Sequence, residues 1–459
     1  MRARAALPYA MLAALAALGT AGCRGPYRDV AKRIADAAGR SDGAYAKVAA
    51  LSTEVGARLA GSPELDRAIA WARDTLAREG HENVALEPVT VPRWSRGAEA
   101  AEVVAPAPHK LAVLALGGSV GTPPEGVTGE VAVVSTFDEL AALGAAVRGK
   151  IVLFNHAMRP DQPPGASYGQ ALPFRREGAS RAAKLGAVAV LVRSLTARSL
   201  GAPHTGAMKY AEDGSPRIPA AALSVEDAEL VARLARLGPV RIHLALGAET
   251  HPNAPSANVI AELRGRERPD EVVVISAHLD SWDVGQGAQD DGAGCAIVME
   301  ALATLRRLGL RARRTIRVVL YTNEENGGAG AQGYAAAHAA ELTRHVAAFE
   351  VDSGAGAPHG FSTDGPQPWA GDAKKLANLL APIGATAIIP SFPGEDIMKL
   401  KPAGVPLLGL SVDNQHYFDV HHSVADTLDK IDPANLRRDV AALATMAFVV
   451  ADRPETWRR

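Results

Sequence analysis

Three short runs in the second half of the chain share one pattern. Residues 271–276 (EVVVIS), 315–322 (TIRVVLYT) and 346–352 (VAAFEVD) are apolar and rich in β-branched side chains. Runs of this length, bounded by polar turns, predict buried strands. His278 and Asp280 follow the first, Glu324 and Glu325 follow the second, and Asp352 closes the third. His278 and Asp280 share a parity, so an extended chain points them to one side. Residues 292–305 predict a helix, with Asp290 just ahead of it in a Gly-rich turn. A further strand is predicted at 403–411, ahead of His421-His422, and a last helix at about 433–450.

The first half reads differently. Helical spacing dominates residues 27–79, ending at Gly80, and residues 84–91 alternate like a strand. From 106 to 250 the character shifts: 129–135 and 149–155 are β-like, and 179–193 reads as a short helix running into a strand. Residues 159–165 and 199–206 are rich in Pro, Gly and Ser and predict irregular loops. At 459 residues, two domains are expected. The fold class is α/β: a mixed, mostly parallel sheet with helices on both faces, built from 23–105 and 251–459, carrying an insert at 106–250. The insert contains none of the candidate ligands. Either of its loops could overhang the site and limit substrate length.

Charge and cysteine content narrow the setting. The net charge is −1, with no basic stripe, which excludes nucleic acid as an expected partner. Arg2 and Arg4 precede an apolar stretch from Ala5 to Leu18, too short to span a bilayer and suited to a signal peptide over 1–22. Small residues before Cys23 resemble a bacterial lipobox, with Thr20 where such motifs usually carry Leu. The expected location is extracytoplasmic, in the periplasm or cell envelope. The chain would be held to the membrane only by a lipid on Cys23, or otherwise be secreted. Lipidation would leave Cys295 alone, with no intrachain disulfide, as a core residue.

The polar residues at the strand ends form a metal-ligand inventory: His278, Asp290, the pair Glu324-Glu325, Asp352 and the pair His421-His422, which supply a His, an Asp, a Glu, an Asp and a His with a carboxylate to spare. Zinc accepts imidazole and carboxylate in small shells, and a two-metal site needs a carboxylate that can bridge. A separate carboxylate must then move the proton of the attacking water. Open α/β sheets place their sites at the carboxyl ends of strands, where these residues fall.

At these residues the chain resembles the co-catalytic di-zinc exopeptidases, a family that includes bacterial leucyl aminopeptidases, glutamate carboxypeptidase and carboxypeptidase Q. The resemblance is greatest to the carboxypeptidase Q branch and covers nearly the whole mature chain. It runs through 55–62 (VGARLAGS), 86–94 (LEPVTVPRW), 203–206 (PHTG), 224–229 (SVEDAE), 278–287 (HLDSWDVGQG), 421–423 (HHS) and Asp426-Thr427. It implies two zinc ions per chain. His278 and Asp352 would bind one, Glu325 and His422 the other, and Asp290 would bridge. Glu324 would be the general base toward a metal-bridging water, and Asp280 would orient the His278 imidazole. The insert resembles a protease-associated domain. The implied activity is hydrolysis of short peptides, expected to be dipeptides.

Two alternatives share this chemistry: a broad-specificity aminopeptidase, and a glutaminyl cyclase, against which the complete second-metal set argues. A non-enzymatic binding ectodomain is the other class. Candidate substrate contacts are Asp283, His421 and Tyr417. No Arg cluster adjoins the ligand motifs, and Asp283 could attract a free α-amino group, so recognition of the amino terminus is expected. Whether the chain forms a homodimer stays open.

Overall fold

The run at 271–276 is the middle of a longer strand, Arg268–His278, at the centre of the first of two sheets. Its side chains alternate: Val273, Ile275 and Ala277 face one core, Val272 and Val274 another. Strands Arg314–Tyr321 and His345–Glu350 flank it, both parallel to it. The register pairs His278 with Tyr321 and Ser276 with Glu350, so the three strands end almost level. Parallel pairing in this register brings His278, Glu324-Glu325 and Asp352 to one edge.

The computed structural model describes residues 27–198 and 200–458. The segment containing Cys23, and Ser199 in the second insert loop, lie outside the described residues. Among the described residues no helix is long and apolar enough to cross a membrane.

The first sheet runs Glu82–Ser95, Glu249–Leu263, Arg314–Tyr321, Arg268–His278, His345–Glu350, Leu407–Val412, Pro358–Asp364, Ala387–Ser391. Parallel and antiparallel pairings are mixed within it. Helices Ala293–Arg307 and Pro433–Asp452 pack against each other and against the core that holds Val273 and Ile275. Both are buried all round over most of their length, 293–305 and 439–451, where their sequences are mainly apolar. Helix Ala329–Ala337 covers the other face through Ala331 and Tyr334. Helix Pro63–Arg78 starts where Ser62 accepts the Leu65 N–H at 3.2 Å, with Pro63 in the first turn.

Two long antiparallel strands, Glu82–Ser95 and Glu249–Leu263, lead out of this sheet and into the insert. The second sheet runs His109–Leu111, Glu99–Ala105, Arg241–Leu246, Val127–Val134, Ile151–Phe154, Ala189–Arg193, Ala220–Leu223, Val113–Ala115. The chain enters it earlier than the composition change at 106 suggests. Strand Glu99–Ala105 is hydrogen-bonded between two insert strands, so pairing, not composition, decides where it belongs. A second correction concerns helix Pro164–Lys184, which begins far ahead of the expected 179. Pro164 and Gly165 fall in the stretch expected to be loop, and 166–178 have no expected element, but buried Ala171, Phe174 and Ala182 pack the helix on the insert.

One buried cation ties the N-terminal segment to the loop after the central strand. Arg58 has no exposed surface. Its Nε donates to the Leu279 carbonyl at 2.6 Å, Nη1 to Gly56 and Gln286 at 3.1 and 3.0 Å, and Nη2 to Gly287 at 2.9 Å. Its backbone N–H donates to Ser281 Oγ at 3.1 Å. Arg58→Met fills similar space and strands these carbonyls. It is expected to cost at least about 3 kcal/mol, read as a lower unfolding midpoint. Arg58→Lys should not rescue it, because an ammonium lacks the fork that reaches separated carbonyls. A midpoint equal to wild type would refute this account of the loop.

Candidate active site

The site begins with a conflict between acceptors. His278 Nδ1 lies 3.0 Å from the Asp280 carbonyl oxygen. That oxygen can only accept, so Nδ1 carries the hydrogen. The bare Nε2 then faces Asp290 Oδ1 at 3.2 Å and Asp352 Oδ1 at 3.5 Å. A lone pair facing two carboxylate oxygens requires a cation between them. Without one, His278 must take a second proton: burial opposes this, but Asp290 and Asp352 raise its pKa well above the ordinary value.

The same arrangement recurs on the other side of Asp290. His422 Nε2 lies 3.0 Å from Glu325 Oε2 and 3.3 Å from Asp290 Oδ2. The two oxygens of one carboxylate thus face two different imidazoles. Asp290 is buried, and its Oδ2 has no hydrogen-bond partner; neither has Glu325 Oε1. Orphaned buried oxygens are rare unless an ion or water completes them. Two triplets have ligand atoms within 4.8 Å of one another: His278, Asp290 and Asp352, and Asp290, His421 and His422. The donor set therefore fits two oxygen- and nitrogen-loving cations with Asp290 between them.

The structure refines several expected positions. Glu325 borders the second triplet through His422, and His421 enters that triplet, its Nε2 3.7 Å from Asp290 Oδ2. The Asp280 carboxylate does not hold the His278 ring; the closer contact is its backbone oxygen, and Oδ1 stands 3.8 Å from Nδ1. That carboxylate instead accepts the N–H groups of Glu324 and Glu325 at 3.0 and 3.3 Å. It thus places the turn that presents both glutamates. Asp283 is held by Arg96, Nε to Oδ2 at 2.9 Å and Nη2 to Oδ1 at 2.5 Å. Its charge is matched there, which removes the reason for expecting it to attract an amino group. Tyr417 packs 5.1 Å from the His421 ring centroid, and burial, then Asp290 and Asp352, push its phenol well up.

Some contributors had no chemical signature in the sequence. Asp426 accepts the N–H groups of Gln289 and Asp290 at 2.7 and 3.1 Å and so fixes Asp290. Asp291 accepts the His278 and Gly294 N–H groups at 3.2 and 3.0 Å, which joins the strand end to the next helix. From the insert, Tyr168 packs 5.2 Å from the His421 ring, and Arg175 Nη1 reaches 3.4 Å from His422 Nδ1. Helix Pro164–Lys184 carries both, so missing its first turns hid them.

Loss of solvent dominates the electrostatics. Burial, then Asp290, lifts Glu325 to about 7. Burial would pull His422 down, but Glu325 and Asp290 hold it up at about 9. Glu324 is pushed well above the carboxylate range by burial, opposed by His278 and reinforced by Asp352 and Glu325. Burial would also raise Asp290, but the facing imidazoles of His278 and His422 keep it well below.

Residues 258–447 match the profile of Peptidase family M28. The chain is similar to carboxypeptidase Q of Mus musculus, 44% identical over 433 residues, covering 94% of this chain and 90% of that one. The crystal structure of a peptidase M28 precursor from Shewanella amazonensis is similar at 40% identity with a TM-score of 0.91, covering 94% of this chain and 98% of that one. A zinc aminopeptidase from Bacillus subtilis shares the fold at 19% identity and a TM-score of 0.68, over 91% of this chain and 97% of that one.

A pH dependence follows for chelator-treated protein. Glu325 and Asp426 hold their protons to about 7 when folded, against ordinary values of 4.5 and 3.8. His422 holds its proton to about 9, against 6.5. The folded state thus binds more protons than the unfolded chain across this range, and stability must fall as pH rises. The carboxyl contributions are lost up to about pH 7, and that of His422 from 6.5 to about 9. Thermal midpoints at pH 6, 7.5 and 9 should decline in that order, and saturating zinc should weaken the trend. A midpoint that rises with pH in chelator would contradict the charge assignment.

Proposed function

Because this chain belongs to peptidase family M28, on its carboxypeptidase Q branch, we propose that it is a zinc-dependent exopeptidase that hydrolyses short peptides, with dipeptides as the main substrates. The observation that carries the proposal is the single buried carboxylate of Asp290 facing His278 and His422 through separate oxygens. His278 and Asp352 would hold one zinc, Glu325 and His422 the other. Two zinc ions held there supply a Lewis acid for the scissile carbonyl and lower the pKa of the attacking water.

The chain's own residues do the rest. Glu324 sits at the turn held by Asp280, with no hydrogen bond tying down its carboxylate oxygens, so it is free to take the water proton and return it to the leaving amine. The C–N bond breaks, and a carboxylate and an amine leave. Asp280 keeps Glu324 and Glu325 in register, and Asp426 keeps Asp290 in place.

We assign the limit on substrate length to a cleft of about 520 Å³ whose lining includes Ser353, next in sequence to Asp352, with His359 and Phe418 from the peptidase body and Met158, Arg159 and Arg198 from the insert. That volume suits a peptide of a few residues. The insert, which we read as a protease-associated domain, closes one wall, and its loop at 159–165 lines it. The signal segment supports action outside the cytoplasm, held by a lipid on Cys23. The Shewanella relative is likewise described as a precursor.

Three measurements test this reading. Exhaustive chelation should abolish dipeptide hydrolysis, and two zinc equivalents per chain should restore it; full activity without metal would refute it. Glu324→Gln should lower turnover by at least about 100-fold with metal content unchanged, whereas Glu325→Gln should lower occupancy of one metal. Indistinguishable variants would mean that the two glutamates are assigned the wrong way round.

A further inference from the structure

His422 is held from outside the peptidase body. Its backbone carbonyl accepts the Thr205 N–H at 2.9 Å. Its ring nitrogen Nδ1 lies 3.3 Å from the Thr205 carbonyl oxygen. One insert residue therefore grips both the main chain and the side chain of His422. The grip falls on a strained position, for His422 has φ +60°, a left-handed conformation that non-glycine residues adopt only when their surroundings impose it.

The chemistry of the ring gives this contact a direction. A histidine that offers Nε2 to a cation must carry its hydrogen on Nδ1, and that hydrogen needs an acceptor. The Thr205 carbonyl is that acceptor. Arg175 Nη1 also lies 3.4 Å from Nδ1, but it can only donate, and the Thr205 carbonyl takes its hydrogen at 3.3 Å.

The carbonyl is itself anchored. Thr205 Oγ1 donates to the Ala115 carbonyl at 2.7 Å, and the neighbouring Gly206 carbonyl accepts the Gly117 N–H at 3.0 Å. Gly206 has no room for a side chain: its φ is +138°, and a Cβ would stand 2.3 Å from the Arg175 guanidinium. The insert also backs the other side of the histidine. Trp282 packs 5.6 Å from the His422 ring, tilted by 59°, and lies so close to Gly117 that a Cβ there would meet it at 1.9 Å.

We propose that the insert completes the metal centre: Thr205 is a positioning residue whose backbone fixes the backbone and ring tautomer of His422, so that one of the two metal sites depends on the insert loop at 203–206. The proposal rests on the two-metal reading above, and it assigns the insert a role beyond limiting substrate length.

The test is zinc binding, measured by stoichiometry across a series of buffered free-zinc concentrations. Thr205→Val keeps the shape and removes the anchoring hydroxyl. It should weaken one of the two sites by roughly 10- to 100-fold, the usual cost of losing a ligand's outer partner, and leave the other unchanged. Thr205→Ser, which keeps the hydroxyl, should bind zinc as wild type does. Gly206→Ala, which displaces the same carbonyl by a different route, should weaken the same site and decides the matter if Thr205→Val does not fold. Val152→Ala, in the middle of the insert sheet and fully buried, is the control for general loosening. It should lower the thermal midpoint without moving either zinc affinity. Wild-type affinity in Thr205→Val and Gly206→Ala, an equal loss in Thr205→Ser, or an equal loss in Val152→Ala would overturn the proposal and leave the two-metal reading standing. A wild-type chain that takes up no zinc would remove that reading as well.

Discussion

Crowded negative charge in a dry volume is the constraint on which the rest of this structure depends. Asp280, Asp290, Asp291, Glu325, Glu350 and Asp396 are all buried around the ends of three adjacent strands. Burial lifts Glu350 to about 8 and drives Asp291 and Asp396 well above the ordinary carboxylate range. Carboxylates do not remain together in such a place unless hydrogen bonds and cations offset their desolvation. Much of the local architecture supplies those partners: N–H groups at the starts of turns, a fully buried arginine, three imidazoles, and two triplets of ligand atoms within 4.8 Å of one another.

The hydrogen bonds follow one plan. Three of the candidate ligands are each placed by a second acid that accepts from the backbone. Asp280 does this for Glu325, Asp426 for Asp290 and Asp291 for His278. These supporting acids spend their lone pairs on N–H groups, while Asp290 Oδ2 and Glu325 Oε1 are left without hydrogen-bond partners. Arg58 ties down the carbonyls of the 279–287 loop and brings positive charge under the acids without entering the site.

The two sheets divide the labour unequally. The first supplies every candidate ligand, because parallel strands in level register converge their carboxyl ends on one edge. The second supplies none of them and shapes what surrounds them: one wall of the cleft, the aromatic packing of Tyr168 against His421, and the grip on His422. An insert that touches a ligand on its outer side couples the site to the relative placement of the two bodies.

Much of this was legible in the residues alone. Continuous apolar runs marked the three strands, because a strand buried on both faces has no polar positions to interrupt it. Polar residues at their ends marked the chemistry, and His278, Asp290, Asp352, Glu325 and His422 do come together. What the residues alone could not decide was which distant atoms would meet. Asp283 looked like an unpaired acid until Arg96, far away in sequence, closed on it. Asp280 looked like a partner for an imidazole, but the turn after Tyr321 put two N–H groups nearer to its carboxylate. Tyr168 and Arg175 sat between the loop expected at 159–165 and the helix expected from 179, in a stretch with no assigned element, until packing against the insert core made it a helix. Local pattern determines strands and the residue types at their ends, because it depends on neighbours in sequence. Partners depend on chain folding across some two hundred residues, as between Thr205 and His422, and only the tertiary structure brings such atoms within bonding distance.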